Sequence, residues 1–438
     1  MISGVAAGKQ EAYQTTCCVH TSGYPVPDDI FAAVLRVLAA HPAFCDLMSK
    51  ILLIAPVPTH PSTTGASARV RHMAEVLLAL GHEVHFLHLQ QPLWTSHELM
   101  RQHWKDRLHV FRGLSPVSCV RRGKRKLLRL TAKTFHLNLP VDSYFDPACG
   151  RYVQNLVARH GFHVIIVSYV FYSRLLEFVP GPVLKLIDTL DVFSDRYRLY
   201  REHGQTGEFF STGREEEGRG LDRADTVLAI QEWDARHFRT LTGRAVSTVG
   251  HLAPPVVDRT GAKAPAGRTM LFVGGPMGIN VHGVNWFIEK VLPSVLKQVP
   301  DAELWLVGGI CSRISNGAAP GLRRFGFVDA VEDLYRQATV VINPQQFGTG
   351  LSIKSIDALR HGRPMVTTAS GARGLEEGAG SAFLQAGTAD EFAHLLIDLL
   401  RNPDRAAALA AGSREFAHRY HQQNLDSLAG VVRTASAR

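Results

Sequence analysis

Short, mainly apolar blocks alternate along this chain with longer stretches whose apolar residues recur at helical spacing. The blocks are 51–55, 84–89, 164–168, 183–187, 227–230 and 246–249, then 270–273, 303–307, 339–343 and 364–368. Each is too short for a helix, and most are too continuously apolar for a strand with one wet face. Parallel strands covered by helices on both faces are therefore predicted. The helices fall at 67–80, 208–223, 232–241, from about 280, at 331–337 and at 351–360. Strand and helix in strict alternation predict the α/β class. From Ala389 the pattern is helical on both sides of Asn402-Pro403, which predicts a C-terminal helical tail, with a return to the first domain as one arrangement.

At 438 residues the chain exceeds one comfortable core, so two domains of roughly 150 to 250 residues are expected. The Pro/Gly/Ala-rich run 254–268 reads as the linker between a first domain, 48–253, and a second, 269–388, with 389–438 as the tail. Residues 1–47 differ in texture, with a Cys-Cys pair, PVP and one amphipathic stretch at 28–39. At Met48 the text changes to MSKILLIAPVP, which has the look of a chain start. Residues 1–47 are thus expected either to pack outside the core or to precede the functional start.

An apolar content of 45% with 22 prolines and 38 glycines fits a folded chain, and no apolar run reaches the ~20 residues that span a bilayer. The six cysteines form no CxxC pair, which favours a reducing compartment and a cytoplasmic location. A formal charge of +9 suits nucleic acid, an anionic membrane or anionic substrates without choosing among them. The run 121–133 (RRGKRKLLRLTAK) narrows the choice. It sets seven basic residues among Leu127, Leu128 and Leu130, a pattern that suits an anionic membrane surface or a lipid-linked acceptor, or else a solvated basic helix. It lacks the aromatic interleaving expected of a nucleic-acid site.

Candidate chemistry concentrates at 340–375, VVINPQQFGTGLSIKSIDALRHGRPMVTTASGARGL. Strand, glycine loop and helix in succession aim free backbone N–H groups at an anion. Thr349 and Gly350 lie in the loop, Lys354 one turn into the helix and Asp357 three residues on. A cation beside a phosphate site and a carboxylate for sugar hydroxyls suit a sugar nucleotide. An ordinary strand–helix–strand unit with a solvated Lys and Asp is the plain alternative. A second glycine loop, with Gly274 and Gly275, follows the strand at 270–273. The first-domain loop at 56–66 carries no GxGxxG, and Arg69 and Arg71 follow it. Asp188 and Asp191 stand at a strand's carboxyl end, where open α/β sheets place ligands, and are candidate catalytic carboxylates. No Cys or His cluster joins them, so no metal site is expected.

In these blocks the chain resembles the retaining glycosyltransferases of the GT-B architecture, family 4 (group 1) type. The resemblance rests on LFVGG at 271–275, NVHGVNWF at 280–287, VLP at 291–293, P-x-x-x-L-x-L-V-G at 300–308, GFV at 326–328 and DLYRQA at 333–338. It culminates in P-x-x-x-G-T-G-L-x-I-K-x-I-D-A-L-x-H-G-x-P at 344–364. ILLIAPVP with GHEV at 81–84 resembles the acceptor domain more loosely. The resemblance implies two Rossmann-like domains facing a central cleft and transfer of a sugar from a nucleoside diphosphate sugar to an acceptor hydroxyl. It also implies retention of configuration, no cofactor and no essential metal. The setting it implies is polysaccharide or glycoconjugate synthesis, with a lipid-linked or saccharide acceptor, at or near the inner membrane face.

By that resemblance Asp357 takes the place of the ribose-binding glutamate, and Thr349 falls where a donor-contacting glutamate is usual. The usual Arg and Lys after the LFVG strand have no equivalent at 276–280, which leaves the phosphate cation to Lys354. DTLDVF at 188–193 resembles a DTHDVF motif with Leu190 in the histidine position, and His251 is placed to reach the cleft or to serve only the linker. A sugar-nucleotide epimerase of the same shape, using Asp188 and Asp191 as acid and base, remains an alternative. So do a non-catalytic relative and, with least support, a hydrolase.

Overall fold

The computed structural model describes residues 48–90, 97–113, 116–256, 267–314, 319–328 and 330–437. Residues 1–47 and most of the expected linker lie outside the described residues. In the first half the chain forms β1 (Lys50–Ala55), α1 (Gly65–Ala79), β2 (Glu83–Leu89), β3 (Leu108–Phe111), α2 (Pro116–Phe135) and β4 (Val164–Ser168). It continues through β5 (Leu184–Asp188), β6 (Thr226–Ala229) and β7 (Ala245–Thr248). Among the described residues these strands make one parallel sheet in the order β3-β2-β1-β4-β5-β6-β7.

The second half supplies β8 (Thr269–Val273), α3 (Gly278–Lys290), β9 (Glu303–Val307), β10 (Leu322–Gly326) and β11 (Val340–Asn343). After these come α4 (Ile353–Arg360), β12 (Met365–Thr368) and β13 (Leu384–Ala386). Its parallel sheet runs β10-β9-β8-β11-β12-β13. Strand order reverses between β1 and β4 and again between β8 and β11. Beyond the carboxyl ends at these two points lie the crevices in which doubly wound sheets hold ligands.

The apolar blocks explain the sheets. Ile51 to Ala55 are each 0% exposed, because helices cover both faces of a parallel sheet. Local signals set the helix ends. Thr64 and Ser67 form a reciprocal capping box at the start of α1, and Gly81, at φ +87°, follows its last turn. Most expected elements recur within a residue or two, but the helix expected at 208–223 is confined to Arg214–Leu221. Glu208 lies outside it and bonds the second domain. Edge strands β3 and β13, and helices Glu98–Trp104, Pro147–His160 and Arg196–Glu202, were not foreseen.

The tail consists of helix Ala389–Arg401 and α5 (Pro403–Arg433). The first half of α5 packs Leu409, Phe416 and Ala417 into the second domain, and its last turns bury Leu425, Leu428, Ala429 and Val432 beside β1 and α1. The helix therefore does cross back to the first domain. Asn424 accepts a hydrogen bond from the Gly250 N–H, and the Tyr420 hydroxyl accepts one from the His251 N–H at 3.1 Å.

Candidate functional site

The loop between β11 and α4 is shaped by buried side chains with partners. Asn343, 1% exposed, donates through Nδ2 to Ser352 Oγ and Ser355 Oγ, both at 2.8 Å. Ser355 Oγ donates to the Gly371 carbonyl at 2.7 Å, and Thr367 Oγ1 to the Asn343 carbonyl at 3.0 Å. Buried polar groups tied in this way hold one loop shape, since each broken bond would strand a partner. Gly283 lets α3 approach the same loop, because a Cβ there would stand 2.7 Å from the Pro344 carbonyl oxygen. Among the described contacts no side chain caps α4, and its first turn carries no acid, so its N-terminal N–H groups face the loop as a partial positive charge.

Lys354 is half-buried under this loop, its Nζ 3.2 Å from Gln345 Oε1 and 3.4 Å from Ser352 Oγ. Desolvation lowers its pKa to about 8, against the pull of Asp357. The Asp357 carboxylate is 3.6 Å from Arg360 and half-buried; burial raises its pKa. Gly348 O accepts from Arg373 Nη1 at 2.7 Å, which brings a second cation of the same domain to the loop.

The first domain closes over the loop. Arg196, 6% exposed, pairs with the Asp191 carboxylate and donates to Thr349 Oγ1 at 2.6 Å. Gly350 sits at φ +72°, and a Cβ on it would stand 3.0 Å from Asp191 Oδ1 and 3.1 Å from the Leu190 carbonyl oxygen. Leu190 itself is held at φ +59°, a left-handed conformation disfavoured for a leucine. Phe347 stacks on His203 at 4.2 Å, and the Gly278 N–H donates to both Glu208 oxygens at 3.0 Å. Asp234 lies deeper in the same wall, bonded by Gln231 at 3.0 Å. Desolvation, with the charge of Asp191, raises its pKa to about 8.

Asp191, Thr349, Gly350 and Lys354 thus meet around one loop, with Asp357 one turn further along α4. Gly274 and Gly275 end β8 nearby; Gly275 is exposed, and its carbonyl accepts from Asn280 Nδ2 at 3.0 Å. Asp188 does not join them. It is 0% exposed and bound to Arg69 by Nε at 2.9 Å and Nη2 at 2.6 Å, while the same guanidinium donates to Val249 and Gly250 carbonyls at 2.8 Å. Both residues tie α1 to β5 and β7 inside the domain. That removes Asp188 from the role of a cleft acid or base, and Arg69 from that of an anion ligand. His251 is likewise fully buried, 5.0 Å from His72, and burial holds it neutral. Among the described residues no three His, Cys, Asp or Glu side chains are arranged to hold a metal ion.

Residues 267–402, which include this loop and both glycine turns, match a family described as Glycosyl transferases group 1. The match falls on the second domain. A Klebsiella pneumoniae relative, described as an uncharacterized 44.6 kDa protein in the cps region, is 28% identical over 169 residues. That match covers 36% of this chain and 42% of the relative. Solved structures resemble the chain over nearly its whole length. Sucrose-phosphate synthase from Thermosynechococcus elongatus aligns over 89% of this chain and 99% of its own, at TM-score 0.64 and 17% identity. The pneumococcal O-GlcNAc transferase GtfA, solved with UDP and GlcNAc, covers 90% of this chain and 100% of its own at TM-score 0.60 and 9% identity. Anabaena HepE, solved with UDP and glucose, covers 87% of this chain and 99% of its own at TM-score 0.58 and 14% identity. At these identities the likeness is one of fold, and the fold is GT-B: two Rossmann-like domains facing each other across a cleft.

Sequence reasoning missed Arg196, Arg373 and Asp234. Arg373 was legible as the cation after the β12 strand in GARGL. Arg196 was not, because only the fold brings its helix against Thr349.

Proposed function

We propose that the chain transfers a sugar from a nucleoside diphosphate sugar to an acceptor hydroxyl, with retention of configuration. The observation that carries the reading is the cationic loop itself. Lys354 and Arg373 from one domain and Arg196 from the other surround Gly348 to Gly350, above an uncapped helix start. In the reaction the bond from the anomeric carbon to the diphosphate breaks and its electron pair leaves on the phosphate oxygen. The acceptor oxygen bonds to the anomeric carbon, and its proton passes to the departing diphosphate. Negative charge grows on the leaving group, and fixed donors stabilise it there by a few kcal/mol each. With these cations and N–H groups in place the reading requires no metal. Asp357 would hold the ribose hydroxyls, and Gly274 and Gly275 would leave room for the nucleotide.

Thr349 has no charge to offer the donor sugar, but the Asp191 carboxylate reaches the same place from the facing domain. We therefore assign donor-sugar contact to Asp191, held by Arg196. An epimerase would need both an acid and a base in the cleft, and the burial of Asp188 leaves it without the pair first considered. Phe327, 80% exposed beside the carboxyl ends of β9 and β10, offers a face on which a base can stack.

The acceptor side points to a membrane. Val120, Leu127, Leu128, Leu130 and Phe135 of α2 are 47–68% exposed, among basic residues that suit an anionic surface. No helix of the described residues is long and apolar enough to cross a bilayer, so contact would be peripheral. The structures solved with UDP make UDP the first nucleotide to test. Calorimetric titration with UDP, GDP, dTDP and their sugar conjugates tests the reading. Binding of one nucleotide, weakened in Lys354→Ala, is expected; binding of none would leave the non-catalytic alternative ahead.

A further inference from the structure

Helix α2 is amphipathic in the wrong sense for a soluble domain. Its inward positions, three and four residues apart, are Ser118, Arg122, Arg125, Arg129 and Ala132, while its large apolar side chains face out. Ordinarily the apolar stripe faces the core. Of the inward arginines, Arg122 and Arg125 meet a solvent-open hollow at the carboxyl ends of β2 and β3. Among the described residues Arg112, Arg121, Arg122 and Arg125 line it, against one acid, Asp146. Asp146 is engaged at the start of its own helix, accepting from the Ala148 N–H at 2.9 Å. Arg122 Nη2 donates to the Arg112 carbonyl at 2.6 Å, which fixes its guanidinium at the wall. Arg125 lies 5.0 Å over the Tyr144 ring. Four guanidinium groups in one hollow repel one another unless an anion joins them, and a planar fork suits phosphate oxygens in particular.

The position of the hollow says which phosphate. Its outer wall is α2, whose far side presents the exposed leucines. Its inner wall, Tyr144, continues through Phe171 (4.8 Å) and Phe193 (5.4 Å) toward Arg196 at the cleft, the last ring 5.7 Å from that guanidinium. An anion held here would stand between a bilayer and the donor loop. We propose that this arginine pocket binds the phosphate of a lipid-linked acceptor, presented from the membrane surface that the leucine face of α2 enters. The word acceptor rests on the transferase reading; the phosphate site does not.

The test uses the full chain and three probes: short-chain phosphatidic acid, inorganic phosphate and UDP. Vesicles of equal charge made with phosphatidic acid or phosphatidylserine complete the set. Arg112→Gln with Arg121→Gln removes two exposed cations and leaves the fixed Arg122 contact, so folding should survive; unchanged UDP binding checks this. The wild type is expected to bind short-chain phosphatidic acid better than inorganic phosphate, and the double variant to lose about tenfold or more. Leu127→Ser with Leu130→Ser should keep the soluble lipid and lose the vesicles. Equal binding of phosphatidic acid by wild type and the arginine variant would overturn the pocket. Inorganic phosphate bound as tightly as the lipid, or no preference for phosphatidic acid over phosphatidylserine vesicles, would overturn the lipid assignment. Failure of the wild type to bind UDP or any other nucleotide would remove the transferase reading while leaving the pocket measurement intact.

Discussion

Replacing Lys354 with alanine is expected to weaken UDP binding roughly 10- to 100-fold, the cost of about 1.5–3 kcal/mol for one charge-assisted hydrogen bond. The fold should tolerate the change. Among the described residues Lys354 makes two side-chain hydrogen bonds, at 3.2 and 3.4 Å, and alanine propagates a helix well. A second signature separates loss of a cation from loss of shape. With a pKa near 8 in the free protein, Lys354 is charged at neutral pH and neutral in alkaline solution. A bound diphosphate holds the proton, so affinity should fall by up to about tenfold per pH unit above about 8, with a proton taken up on binding. General destabilisation cannot mimic this. A lysine with a folded pKa below its unfolded value of about 10.4 makes the native state bind fewer protons between those values, so its contribution to stability rises with pH across that window. Calorimetry in buffers of different ionisation enthalpy, from neutral to about pH 9, measures both effects. A wild-type affinity flat across this range, or an alanine variant that binds UDP equally well, would refute the assignment.

Asp188→Asn should destabilise the chain by about 3–5 kcal/mol in urea unfolding, since it strands the buried Arg69 guanidinium. Asp191→Asn should also lower the unfolding midpoint, because it leaves the buried Arg196 with neutral partners only, and it should lower transfer from the sugar nucleotide more than binding of UDP itself. Gly350→Ala forces a side chain into φ +72° beside Asp191, and a loss of about 1–2 kcal/mol of stability with weaker UDP binding is expected from unfolding and titration. Asp234 keeps in the folded state a proton that the unfolded chain releases near its ordinary value of about 3.9. The stability it contributes is therefore lost as pH rises toward about 8, and Asp234→Asn should gain on the wild type over that interval in melting temperature.

The sheets were legible because buried parallel strands need continuous apolar blocks, and no other element writes 51–55 or 303–307 that way. The strand–glycine loop–helix unit from β11 to α4 was legible too, since its glycines and Lys354 keep fixed spacing along one segment. What failed was reasoning about residues whose partners lie far along the chain. Asp188 and Asp191 are three residues apart and alike in sequence. Arg69, 119 residues away, takes one into the interior, while Arg196 and Thr349 hold the other at the cleft. Edge strands β3 and β13, at three or four residues, are shorter than the window in which a period can be recognised. The outward leucines of α2 were visible as a face, but which way the face turned was fixed by packing alone.

Contacts between the two domains divide into a side that must stay and a side that must give. At the back the link is α5, whose Asn424 accepts a hydrogen bond from the Gly250 N–H, while Arg69, inside the first domain, holds the Val249 and Gly250 carbonyls. These groups are buried, and removing any one leaves an unpaired charge or dipole, so this side is a poor place for motion. At the front, the domains are joined by the Arg196 bond to Thr349, the Glu208 bond to Gly278 and the stacking of Phe347 on His203. On the proposed transferase reading, each of these lies where the donor would enter. A diphosphate can take the place of Thr349 as a partner of Arg196, and an anion at the glycine turn can displace Glu208 from the start of α3. On that reading the neutral side chain of Thr349 has a physical account. A glutamate facing Arg196 would form a second ion pair across the cleft, whereas a hydroxyl gives a neutral hydrogen bond that a phosphate outcompetes.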